Sequence, residues 1–271
     1  MPVNSEPVVP AELCDTVIDH LHDDPRTLAA CALVCRAWVP SSRMHQFHTV
    51  ILHRFPGWRG RRLSLISDPS STVLPYIRRL ALGEGRRRGS EPYWLDEALL
   101  EIRVDDLVAL EYLELIDLNW EMLSLESVRR LHMLCHRPQS VAVRLSFIPS
   151  LCSLLDLLQA CDSAHKFVAD GNDDVHELAA MPASLTMPQH LHTLEVNGFM
   201  AHFTHALCRL APKHDNIRTV YIPSIFIGQA AGIARFMQWC GSTVEEISLD
   251  FPDPRTRRDD SELQEGRGCV S

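Results

Sequence analysis

The sequence has no long hydrophobic run, no C-x-x-C pair and no surplus of positive charge. The longest uncharged apolar stretch, near residues 145–155, contains Pro149 and is too short to span a bilayer. A formal net charge of -9 on 271 residues argues against general binding to nucleic acid or anionic membranes. The first residues also lack a signal-peptide pattern. We therefore expect an intracellular protein, cytoplasmic or nuclear or both, that binds no membrane.

Catalytic motifs are missing as well: no H-E-x-x-H, P-loop, G-x-S-x-G or glycine-rich dinucleotide turn occurs. Two clusters contain metal-ligand residue types, at His132/Cys135/His136 and at His202/His205/Cys208. A zinc site needs about four converging ligands, and no second segment supplies the remainder. Polar faces of helices are the simpler explanation of these histidines. We predict that the chain is not an enzyme and holds no metal or cofactor.

The nine cysteines are an odd number scattered through apolar segments, which favours thiols over a disulfide framework. Cys31 and Cys35 are four residues apart, a spacing that places them on the same face if both lie on one helix. They could bind a metal, form a redox pair or pack as small apolar side chains. The spacing alone leaves these alternatives open.

What the sequence does contain is enough apolar residues, 46% against 23% charged, to bury a sizeable core. A first helix is predicted from Pro10, with an apolar stripe at Leu13, Val17, Ile18 and Leu21. The stretch Asp23-Asp24-Pro25 should end it and cap the next helix.

A second helix is predicted from Thr27 through Trp38, ended by Pro40. It is apolar almost all round, which is unusual for a helix on the surface of a small unit. Roughly 40 residues bury too little surface to be stable alone. Part of this surface should therefore meet a partner or a neighbouring domain.

These fifty residues resemble the F-box, especially the version common in mushroom-forming fungi. The matching residues are Val9-Pro10, Glu12-Leu13, Ile18, Leu21, Asp24, Leu28 and Val34-Cys35-Arg36-Ala37-Trp38. The sequence departs from the family pattern at Val9, where leucine is usual, and at the insertion 25–27. Neither change removes the apolar stripe.

The resemblance implies binding to a Skp-type adaptor and, through it, to a cullin. It makes these residues the candidate adaptor contacts: Pro10, Leu13, Ile18, Leu21, Leu33, Val34 and Trp38. They could instead form the core of a three-helix bundle. We expect Cys35 and Leu28 to be core residues, and Pro10 and Leu13 to be interface residues. On this interpretation both cysteines of the second helix are inert packing residues.

The remaining chain repeats the pattern apolar-x-x-apolar-x-apolar. Six clear copies begin at Phe47, Ile77, Leu110, Leu191, Ile217 and Val244, and two weaker ones at Ser140 and Ala164. Successive copies are about 24 to 33 residues apart, close to the period of leucine-rich repeats. Four helical patterns lie between them, within 127–136, 154–162, 202–211 and 233–240.

Strands alternating with helices predict an α/β fold with a parallel sheet, arranged as an irregular right-handed leucine-rich-repeat solenoid. The predicted organisation is a disordered start (1–8), an F-box-like domain (9–46), the repeats (47–252) and a disordered tail (253–271). Loops rich in glycine, arginine and serine are expected within 56–72 and 83–94. No polar capping unit is apparent after Leu249, so either the final strand is exposed or the chain is shortened.

Side chains between the apolar strand positions should face the concave surface on which repeat folds usually bind partners. The candidates for target binding are Tyr112, Glu114, Arg144, Glu195 and Tyr221. A solvated strand face is the simpler alternative for any one of them. The resemblance to the F-box, with this repeat surface for a target, implies the substrate-recognition subunit of a cullin–RING ubiquitin ligase with an unidentified protein target. The alternative is a non-catalytic leucine-rich-repeat scaffold without a role in ubiquitination.

Overall fold

A computed structural model of the chain describes residues 10–53, 61–84, 93–145, 151–171, 186–197, 200–210, 215–222 and 230–249. Within these ranges the protein is α/β, with a helical stretch followed by eight strands that lie in the sheet in chain order. The chain divides into two compact units, Met1–Val143 and Arg144–Ser271. The terminal segments predicted to be disordered, 1–8 and 253–271, lie outside the described residues.

The helical stretch consists of α1 (Ala11–Asp19), α2 (Pro25–Val34), a 3-10 turn (Arg36–Trp38) and α3 (Val39–Phe47). α2 packs along α3, and both α1 and α2 contact the 3-10 turn. Ile18 and Leu28 are completely buried and Cys31 nearly so. These three side chains form the centre of the stretch.

Asp24 caps α2 in the way that its position before a proline predicts. Its Oδ1 accepts the backbone N–H groups of Arg26 at 3.0 Å and Thr27 at 3.1 Å. The Thr27 hydroxyl donates to Oδ2 at 2.6 Å. Because the first N–H groups of a helix have no partner inside the helix, these bonds stabilise its first turn.

Lowering the pH is expected to reduce the free energy of unfolding, partly because Asp24 becomes protonated. Hydrogen bonds from the hydroxyl and backbone N–H of Thr27 lower the pKa of Asp24 below its ordinary value of 3.8. A carboxylate with a depressed folded-state pKa stabilises the fold above its unfolded-state pKa, and this stabilisation is lost as the pH falls through the folded-state value. Asp24→Asn keeps a capping oxygen but cannot titrate. Urea titrations followed by circular dichroism at about pH 5 and about pH 3 should show a smaller acid loss in Asp24→Asn than in the wild type. Equal losses would contradict this role.

The second helix is shorter than its sequence pattern predicts. It ends at Val34, and Cys35 has extended backbone with φ -158° and ψ 164°. Cys31 is therefore buried in α2 while Cys35 is exposed beyond it, so the two do not share a face and Cys35 is not a core residue. Pro40 lies in the first turn of α3 instead of ending a helix, because the N–H that proline lacks has no intrahelical partner there.

The strands are β1 (Thr49–His53), β2 (Arg79–Gly83), β3 (Tyr112–Ile116), β4 (Ser140–Leu145), β5 (Lys166–Gly171), β6 (Thr193–Asn197), β7 (Thr219–Ile222) and β8 (Glu246–Leu249). The last two positions of each predicted copy, weak copies included, lie on one of these strands. The connecting helices are α4 (Arg61–Ser67), α5 (Trp94–Glu101), α6 (Leu125–Cys135), α7 (Leu151–Gln159), α8 (Met200–Leu210) and α9 (Ala230–Cys240). The four predicted helices correspond to α6–α9, and the predicted α/β class is confirmed.

Equivalent positions of the pattern face each other across the strands. In the first unit, β1, β2 and β3 pair in parallel, with Leu80 opposite Leu113 and Leu82 opposite Leu115. In the second unit, β5 to β8 pair in parallel, with Leu194 opposite Val220. All of these side chains are almost completely buried. The pattern thus marks the side of the strands that packs into the core.

A backbone contact also recurs along the chain. The backbone carbonyl of the residue just before a strand accepts two backbone N–H groups from the next strand along the chain. The donors are the first residue of that next strand and the residue before it. Three such carbonyls are those of His48, which binds the N–H groups of Arg78 and Arg79, and of His165 and His192 in the second unit. This repetition indicates that successive strand–helix units join in the same way.

Residues 56–72 are not entirely the predicted loop, because α4 lies within them. Leu63 and Ile66, three residues apart, are buried on one side of this short helix. The surrounding glycine, arginine and serine residues concealed this spacing in the sequence.

The last described strand, β8, is poorly covered. Ile247 is 49% exposed and Leu249 is 39% exposed among the described residues. The helices of the described ranges reach 11 residues, and none is long and apolar enough to cross a membrane.

Candidate protein-binding surfaces

The helical stretch leaves four large apolar side chains in solvent. Leu33 is 87% exposed, Val34 63%, Leu13 57% and Val17 53%. We call these four residues the apolar set. Burying a side chain of this kind contributes roughly 1.5–3 kcal/mol. Their exposure therefore indicates a surface that gains from contact with another molecule.

Two polar contacts determine which side of α1 faces the rest of the stretch. The Ser41 hydroxyl donates to Asp15 Oδ1 at 2.5 Å, and His45 Nε2 lies 2.6 Å from Asp19 Oδ1. Both partners are on α3. At about 100° per residue, the row formed by Asp15 and Asp19 lies about 200° from the α1 members of the apolar set. Because this row holds α1 on α3, Leu13 and Val17 point outward.

The predicted adaptor contacts fall into three groups. Pro10, Leu13, Leu33 and Val34 are exposed, and Leu21 and Trp38 are partly buried. Ile18 is completely buried, so it contributes to the core of the stretch and offers no surface to a partner in this structure. Val17 was not among the predicted contacts. Its spacing of four from Leu13 was the available signal.

The first unit presents an aromatic and charged surface on its strands. Tyr112 and Glu114 are half-buried on β3, on the side opposite its buried leucines. The strand register places Tyr112 beside Arg79 and Glu114 beside Ala81. The guanidinium carbon of Arg79 lies 4.5 Å from the centroid of the Tyr112 ring, a cation–π contact. Arg79 was not predicted as a site residue, although it precedes the buried Leu80 as Tyr112 precedes the buried Leu113.

In the second unit the predicted residues also lie on the strand surface. Glu195 on β6 and Tyr221 on β7 are direct neighbours and are half-buried. Glu195 Oε2 is 3.1 Å from Lys166 Nζ. Arg144 on β4 is exposed. The Lys166–Glu195 pair is open to solvent on the lysine side, so it contributes little to stability and matters mainly for the charge that a partner would meet.

The described cysteines form no disulfides. Burial raises the pKa of Cys240 to about 12, so this residue remains a thiol at neutral pH. In the first histidine cluster Cys135 is fully buried while His136 is exposed, so these side chains do not face a common site. No group of three or more His, Cys, Asp or Glu side chains in the described ranges is arranged to hold a metal ion.

The two kinds of surface differ in chemistry. The helical stretch offers apolar side chains, whereas the strands offer tyrosine, arginine and carboxylate groups. Both compositions occur in protein–protein interfaces, where aromatic residues and arginine are enriched. Comparison with protein-family models gives no match for this chain, and a comparison with curated proteins gives no significant match either.

Proposed function

We propose that the protein is the substrate-recognition subunit of a cullin–RING ubiquitin ligase, with its helical stretch binding a Skp-type adaptor. The observation that carries this proposal is the exposure of the apolar set, 53–87% per side chain, on the stretch whose sequence resembles the F-box. Covering four such side chains would contribute several kcal/mol before the costs of association. The polar contacts between α1 and α3 support it, because they hold the α1 members ready for a partner.

The strand surfaces would bind the target protein. They carry the tyrosine, arginine and carboxylate side chains that a protein ligand can recognise. The chain itself makes and breaks no bond in this proposal. It holds the target near the ligase, which raises the effective concentration of the target at the site of ubiquitin transfer.

The alternative function is a leucine-rich-repeat scaffold in which the helical stretch only caps the first strand. Two observations favour a capping role: α3 ends at Phe47, one residue short of β1, and Arg43 donates to the Thr72 hydroxyl at 2.8 Å. A cap, however, gains nothing from exposed leucine and valine side chains. The apolar set is thus better explained by adaptor binding.

The test is co-purification of the full chain with a purified Skp-type adaptor. We expect the wild type to bind and the double variant Leu13→Asp, Leu33→Asp to lose binding, because each aspartate would bury an unpaired charge in the interface. Both positions are exposed, so the variant should remain folded. Ile18 is unsuitable for this test because an aspartate there would lie in the core.

The matched control is the double variant Val108→Asp, Leu125→Asp. These side chains are 69% and 83% exposed in the same compact unit but lie outside the helical stretch. The control should bind the adaptor like the wild type. Absence of binding by the wild type would refute the proposed function, and binding that survives in the Leu13/Leu33 variant would refute the role of the apolar set.

A further inference from the structure

The strand surface of the first unit contains an arginine that is held in place but not neutralised. Arg79 is exposed at the start of β2, and its guanidinium stacks on Tyr112. Among the described residues it has no carboxylate partner. Its neighbour Arg78, by contrast, forms an ion pair with Glu111.

Stacking orients this guanidinium without using its hydrogen-bonding capacity. The five N–H groups of arginine lie in the plane of the guanidinium and point away from its edge. A cation–π contact uses the charge of the guanidinium rather than its hydrogen bonds, so it leaves N–H donors available. A carboxylate approaching along the edge can accept two parallel N–H bonds, which is the strongest arrangement for this pair.

An exposed apolar side chain lies on the same side of the strands as Arg79. Across the strands, Ile51 lies opposite Ala81, and Ala81 lies opposite Glu114. Ala81 is only 7% exposed, so Ile51, which is 42% exposed, offers the apolar contact on this side of the strands. An extended segment crossing the strands would place one side chain against Ile51 and another near Arg79.

We propose that the strand surface of the first unit binds an extended protein segment that places an aspartate or glutamate side chain on Arg79, with Tyr112 as the aromatic support. The proposal specifies the chemistry of the target within the proposed function, and so rests on the target-binding role of the strands. It does not depend on the apolar set.

The experiment uses a phage-displayed library of random linear peptides selected on the immobilised full chain. Wild type and Arg78→Ala should enrich peptides with an acidic residue at one fixed position. Arg79→Ala, which has the same net charge as Arg78→Ala, should lose that preference. For the best peptide, synthesised with blocked termini, we expect Arg79→Ala to weaken binding about tenfold or more in fluorescence anisotropy. Tyr112→Phe should retain binding, and Tyr112→Leu should weaken it.

Removing the charge from the peptide provides a test that does not depend on a folded variant. Replacing the acidic residue of the peptide by Asn or Gln should weaken its binding to the wild type about tenfold. The same replacement should hardly change its binding to Arg79→Ala, where the partner of the carboxylate is already missing. Acidic preference that survives in Arg79→Ala, an equal loss in Arg78→Ala, or no enrichment at all would overturn the proposal. Co-purification with the adaptor distinguishes peptide binding from the ligase function. Arg79→Ala should bind the adaptor like the wild type. If neither the wild type nor any variant binds the adaptor, that result would count against the ligase function and not against peptide binding.

Discussion

Replacing Phe167 by alanine is expected to lower the free energy of unfolding by about 3–5 kcal/mol. Phe167 is completely buried on β5, opposite Leu194 of β6. Truncation removes the apolar surface of a whole ring and leaves a cavity that the neighbouring strands can fill only in part. Urea unfolding of the full chain, followed by circular dichroism, measures the loss.

Val168→Ala is the matched control. Val168 is the next residue on the same strand, half-buried on the opposite side. Its truncation should cost about 1 kcal/mol or less, since only part of its surface is removed from water. Similar losses in the two variants would contradict the alternation of buried and solvent-facing positions along β5. This comparison is informative because β5 carries one of the two weak copies of the sequence pattern.

Glu84→Ala is expected to lower the free energy of unfolding by about 1–3 kcal/mol. The Glu84 side chain follows β2 and is 2% exposed. Its carboxylate accepts the backbone N–H groups of Trp94 at 3.3 Å and Leu95 at 2.9 Å. Tyr93, at the N-cap position of α5, supplies no side-chain capping hydrogen bond, so Glu84, from the end of the preceding strand, caps the helix instead. Without it these buried N–H groups lose their partner, and a negative charge near the positive end of the helix is removed.

Glu97→Ala distinguishes this capping from a general effect of acidic residues. Glu97 lies in the first turn of the same helix but is exposed. Its removal should change the free energy of unfolding by within about 0.5 kcal/mol. Hydrogen exchange of the Trp94 and Leu95 amides provides a local measurement, since Glu84→Ala should accelerate their exchange more than Glu97→Ala does. Unchanged protection at both amides would contradict the capping role of Glu84.

The eight strands were predictable because burial recurs at a short, local period. Leu113 and Leu115, for example, alternate with Tyr112 and Glu114, and the structure buries the first pair and not the second. The helices after β3, β4, β6 and β7 were predictable for the same reason. The ends of helices were harder to predict. The apolar spacing from Leu28 to Trp38 fits one helix, yet the backbone becomes extended at Cys35 and a separate 3-10 turn follows.

The candidate sites were predictable only in part. Leu13 and Leu33 were named from the sequence and are exposed, whereas Ile18 was named with them and is buried. A stripe on a helix contains both kinds of residue, and the packing partner determines which part of the stripe is covered. Arg79 was missed because its significance depends on Tyr112, which is distant in sequence and adjacent only in the sheet.

Local periodicity was thus sufficient to locate the strands, several helices and an unusually apolar start of the chain, because each depends on residues a few positions apart. The exposure of the apolar set, the capping of α5 by Glu84 and the stacking of Arg79 on Tyr112 required the folded chain. Each of these features depends on how separate helices and strands pack or lie against one another, which no local pattern in the sequence shows. Their energies depend on distance and burial, which arise only when α1 packs on α3 or one strand pairs with the next.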